Sequence, residues 1–90
     1  MKPHTTFLQS AQLYIEASNL ILATLPLQEQ IQDRHRELVT LIGFENSPFA
    51  KELIRNLKDE IFSRKIEIQG LQFRARKLVK QARYIRFAQE

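Results

Sequence analysis

In the second half of the chain, apolar residues recur at alternating intervals of three and four. The run is Ile54, Leu57, Ile61, Ile68, Leu71, Ala75, Leu78, Ala82 and Ile85, with Arg64 holding one position within it. This is heptad spacing, sustained for about four and a half repeats. It predicts one helix over about 48–88, roughly 60 Å long at 1.5 Å per residue. Only Gly70 interrupts it, and an isolated glycine costs about 1 kcal/mol relative to alanine, enough to bend a helix without ending it. A stripe of that length needs a second helical surface to cover it.

The first half is less regular. A helix over about 6–24, capped by Thr5 or Thr6, gathers Phe7, Leu8, Ala11, Ile15, Leu22 and Leu25 on one broad face, which Tyr14 and Ile21 widen. Pro26 disfavours helical geometry at Leu25, so the arm breaks or kinks there, and Thr24 is a candidate cap for the next helix. That second helix, over about 27–42, places Leu27, Ile31, Leu38, Val39 and Ile42 on one side and mainly glutamines and charged residues on the other. Gly43 to Pro48 is the strongest punctuation. Gly43 suits a left-handed residue past a helix end, and Ser47 before Pro48 is a cap followed by a first helical turn. No strand-like alternation of usable length occurs. The fold class is therefore all-α: a single domain over 1–90, built as a helical hairpin or three-helix bundle, coiled-coil-like, with one long C-terminal helix.

Size and composition add a pressure to associate. A chain of 90 residues buries only about 60–65% of the surface its unfolded form exposes. It has no cysteine, so neither disulfides nor thiolate metal sites can staple it. A homodimer is the default closed assembly. No segment reaches the ~18 apolar residues of a membrane span, and no apolar secretion signal follows Met1. With the missing cysteines, this points to the cytoplasm.

Charge is divided unevenly. Residues 1–46 carry three basic and five acidic groups, and residues 47–90 carry eleven and five. From Ile68 to Gln89 there are six cations (Arg74, Arg76, Lys77, Lys80, Arg83, Arg86) and no acid. Such a block attracts an acidic protein surface or a polyanion. On a helical projection Arg76, Lys80 and Arg83 fall almost opposite the apolar run, and Phe73, Tyr84 and Phe87 share their side. These six are the candidate partner-binding residues, and Ile54, Leu57, Ile61, Ile68, Leu71, Leu78 and Ile85 form the helix-pairing seam. The plainer account is that the cations are a solvated face and the aromatics pack against the first helix as a second seam.

Other chemistry finds little support. Arg64 either sets pairing register or lays its stem on apolar surface, with its head toward Glu60. His35 sits between Ile31 and Leu38 and reads as a packed histidine, because only His4 could join it as a second imidazole ligand. There is no phosphate-binding glycine loop and no nucleophile–histidine–carboxylate arrangement, so neither an enzyme, a cofactor, a metal nor a small-molecule substrate is expected. A membrane-surface helix would keep bulky apolar groups away from its cations, whereas here Phe73 and Phe87 share the cationic side. The expected function is a protein–protein interaction module: a small adaptor, chaperone-like subunit or regulator that self-associates and docks a partner through its basic, aromatic distal helix. The alternative is a nucleic-acid-binding regulator presenting basic helices to phosphates.

Overall fold

The computed structural model describes residues 3–44 and 46–89, with side-chain surroundings for 7–44 and 46–85. Its regular structure is entirely helical: α1 (Pro3–Leu22), α2 (Thr24–Ile42) and α3 (Pro48–Gln89). Among the described residues there is no strand, and no helix is long and apolar enough to cross a membrane. α1 begins at Pro3, where a missing N–H is harmless because first-turn donors have no intrahelical acceptor. Thr5 and Thr6, expected as caps, fall inside that first turn, and their side chains lie outside the described residues, as does that of His4.

Between α1 and α2 the interruption is one residue long. Ala23 still donates its N–H to the Asn19 carbonyl (3.0 Å), and Thr24 Oγ1 donates to the Ile21 carbonyl (2.7 Å). Pro26 is the third residue of α2, within the turn that tolerates proline best. The second connection is closed by Phe44 N–H to the Leu41 carbonyl (2.9 Å) and Ser47 N–H to the Phe44 carbonyl (3.1 Å). Gly43 does not take the left-handed conformation expected of it, since no described residue has positive φ. Three-residue turn bonds perform that closure instead. Glu45 lies outside the described residues. Ser47 caps α3: Ala50 N–H reaches its Oγ (3.4 Å) and Lys51 N–H its carbonyl (3.0 Å), with Pro48 opening the helix.

The helices group into two compact units, Met1–Thr24 with Gly70–Glu90 and Leu25–Gln69. In the Leu25–Gln69 unit, α2 runs antiparallel to the first half of α3. Arg34 Nε donates to Glu60 Oε2 (2.7 Å); four residues earlier, Gln30 Oε1 accepts from Arg64 Nε (2.9 Å), four residues after Glu60. Around this polar layer Ala50, Leu57 and Ile61 are buried, and Leu27, Ile31, Leu38, Leu41, Leu53, Ile54 and Ile68 are half-buried. Val39 and Ile42, expected inside, are 70% and 50% exposed. Arg34 and Leu41 occupy the inner positions in their place. One facing helix covers only a narrow stripe, so the edge of a broad apolar arc stays outside. His35 is likewise exposed rather than packed. Arg64 is half-buried and reaches Gln30 and the Glu60 backbone carbonyl (3.4 Å) rather than the Glu60 carboxylate.

The other unit pairs α1 with the distal half of α3. Ser10 Oγ donates to the Ala82 carbonyl at 3.2 Å, a buried contact, so the two backbones approach to within the reach of a serine side chain. Small residues make this closeness attainable: Ser10 and Ala17 on α1, Thr24 just past its end, and Ala75 and Ala82 on α3 are all buried. Leu13, Leu20, Leu71, Leu78 and Ile85 are half-buried beside them. The broad face read from the sequence is therefore not the one turned to α3. Phe7, Leu8, Ile15, Ile21, Leu22 and Leu25 are all exposed by half or more, and Tyr14 is marginally exposed. Ala11 alone of that face is half-buried.

Candidate interaction surface

In the unit built by α1 and distal α3, α1 presents an apolar outer face. Leu8, Ala11, Ile15, Ser18 and Leu22 repeat the three–four spacing of a pairing seam, displaced around the helix from Ser10, Leu13, Ala17 and Leu20. α1 thus carries two seams and α3 covers one. Between Lys2 and Glu29 the only acid or base besides His4 is Glu16, so this face is nearly free of charge.

A groove of about 460 Å³ runs between α1 and α3, lined by Ile21, Gln72, Ala75, Arg76, Val79, Lys80 and Arg83. Its floor is apolar, from Ile21, Ala75 and half-buried Val79. Arg76, Lys80 and Arg83 form one rim; all three are exposed, and none makes an ion pair among the described residues. Expected to stand opposite the seam, they border the helix pair instead, because long flexible stems let a cation lean along apolar surface. On the opposite side of the pair, a groove of about 580 Å³ is lined by Glu16, Asn19, Leu20, Arg74, Lys77, Leu78 and Gln81, so there an acid accompanies the cations.

The six residues singled out from the sequence are therefore only partly gathered. Arg76, Lys80 and Arg83 line one groove. Phe73 stands outside it, with the Lys77 ammonium 5.0 Å from its ring centre, a cation–π contact on the helix surface. Tyr84 is 74% exposed, and the Phe87 side chain lies outside the described residues. Phe73 and Tyr84 do not pack against α1 as a second seam; both project outward. Ile21 and Val79 complete the groove and escape a sequence reading. Ile21 belongs to a face assigned inward, and Val79 interrupts the heptad register.

Every position of the α3 seam is buried or half-buried, from Ile54 to Ile85 and including Arg64. Among the described residues no three His, Cys, Asp or Glu side chains gather to hold a metal ion. No family model, curated protein or solved structure matches the chain.

Proposed function

We propose that this protein is a non-enzymatic protein–protein interaction module, a small adaptor, chaperone-like subunit or regulator, which self-associates and docks a partner through the basic distal half of α3. The observation that carries the reading is the outer face of α1. Phe7 (72% exposed), Leu8, Ile15 and Leu22 stand in solvent on a helix with almost no charge, whereas monomers rarely expose large contiguous apolar patches. An uncharged apolar face does not repel a copy of itself, so two chains pairing through it complete the bundle that one chain leaves open. A homodimer is the simplest closed form. The basic groove lies to one side of that face and stays available to a different partner.

Light scattering across a hundredfold range of protein concentration tests self-association. The expected mass is twice that of the chain at the upper end. A mass of one chain throughout removes self-association from the reading.

A further inference from the structure

We infer that the groove between α1 and distal α3 receives an acidic amphipathic helix from another protein. This rests on the reading of the chain as an interaction module and specifies the chemistry of the partner. Arg76, Lys80 and Arg83 succeed one another at intervals of four and three, placing their heads in a row along about two helical turns. That row matches carboxylates spaced three and four apart on a facing helix. Among the described residues no acid pairs with that row. The one acid of this unit among the described residues is Glu16, and it lines the groove on the far side with Arg74 and Lys77.

The floor calls for something other than charge. Ile21, Ala75 and Val79 offer apolar surface along it. An occupant that satisfies both sides carries an apolar stripe flanked on one edge by acids, which is the helix-in-groove mode of recognition. A nucleic-acid strand fits less well, because the cations line one rim only and the floor gives phosphates nothing. A second copy of this chain does not supply the row either. Of the three acids of α2, Asp33 and Glu37 are paired with Arg36 (3.1 Å) and Arg34 (3.5 Å), which leaves Glu29 alone to meet a row of three cations. The acids of α3 before Gly70 are interleaved with Lys51, Arg55, Lys58 and Lys65.

The test titrates the full-length protein into a labelled peptide designed as a stable helix, with a leucine stripe and a glutamate row at four–three spacing, read by fluorescence anisotropy. Two control peptides replace the glutamates by glutamine or the leucines by serine. Binding of the parent peptide, weakened about tenfold or more in each control, is expected for an interface needing both its charges and its anchors. The Arg76→Glu, Lys80→Glu, Arg83→Glu variant, checked for unchanged helicity, loses the glutamate peptide and gains its lysine counterpart. Two results overturn the proposal: no binding of the parent peptide, or binding of the serine control and of single-stranded DNA as tight as the parent's with a steep log-linear salt dependence, which marks a general polyanion site. Light scattering separates this inference from self-association. A monomer that binds the peptide sinks the dimer alone, and a dimer that ignores the peptide sinks this proposal alone.

Discussion

At the residue scale, the pairing of α1 with α3 is decided by the smallest side chains. Ala82 has no exposed surface and its carbonyl takes the Ser10 hydroxyl, so no space remains for a longer side chain between the backbones. Ala82→Leu is expected to destabilise the protein by about 1–3 kcal/mol, the usual penalty for overpacking, read from urea unfolding with an unchanged m-value. Gly70 gives the opposite expectation. It lies inside α3 with negative φ, and a methyl group there meets nothing within 4 Å. Gly70→Ala therefore gains helix propensity without a steric cost, raising stability by up to about 1 kcal/mol in the same assay. A loss of stability at this position would show that the glycine serves a purpose other than continuing the helix.

Between elements, the two units are held differently. The Leu25–Gln69 unit packs leucine and isoleucine around a polar layer, Arg34 with Glu60 and Arg64 with Gln30. This layer favours one register, because sliding either helix by a turn separates both pairs. Its contribution to stability is small. Arg34 and Glu60 side chains are 32% and 45% exposed, so solvent screens the attraction, and surface pairs typically contribute about 0–1 kcal/mol. A double-mutant cycle on Arg34→Ala and Glu60→Ala is expected to give a coupling below about 1 kcal/mol that shrinks further in 1 M salt. A coupling well above that range would mean the pair is more desolvated than its exposure indicates. Among the described residues the α1–α3 unit shows no such layer, and small residues bring its helices close.

For the whole molecule, each helix carries more apolar surface than one partner helix can cover. A chain of this size has little stability to spare, so its outward residues are more than incidental. Ile15 and Leu22 lie on the exposed α1 face, away from Ser10, Ala17 and Thr24. Ile15→Ser with Leu22→Ser is expected to halve the mass measured by light scattering while leaving helicity unchanged. Raising salt to 0.5 M should leave the dimer intact, since hardly any charge lies on that face, whereas binding in the Arg76–Lys80–Arg83 groove should weaken. A dimer that dissociates with salt would place the self-association surface elsewhere.

Much of this was legible along the chain. The heptad run from Ile54 to Ile85 specifies a long helix and the stripe it turns inward, because spacing alone places those side chains on one line. Ser47–Pro48 likewise marks the start of α3, since capping is local chemistry. The face of α1 was not legible by apolar content. Phe7, Leu8, Ile15 and Leu22 look like a core, yet Ser10, Leu13, Ala17, Leu20 and Thr24 face α3, in the three–four register that Leu27, Ile31, Arg34, Leu38 and Leu41 continue. Tracing that register backward from Leu27 would have found them. Hydrophobicity could not choose, because Ala75 and Ala82 reward small neighbours over large ones. The groove was hidden for a related reason: Ile21 and Val79 meet only once two helices lie side by side. Sequence by itself determined where helices begin, how long they run and where charge collects. Which face each helix turns inward, and which greasy face is left in water, was decided by how closely two backbones can approach.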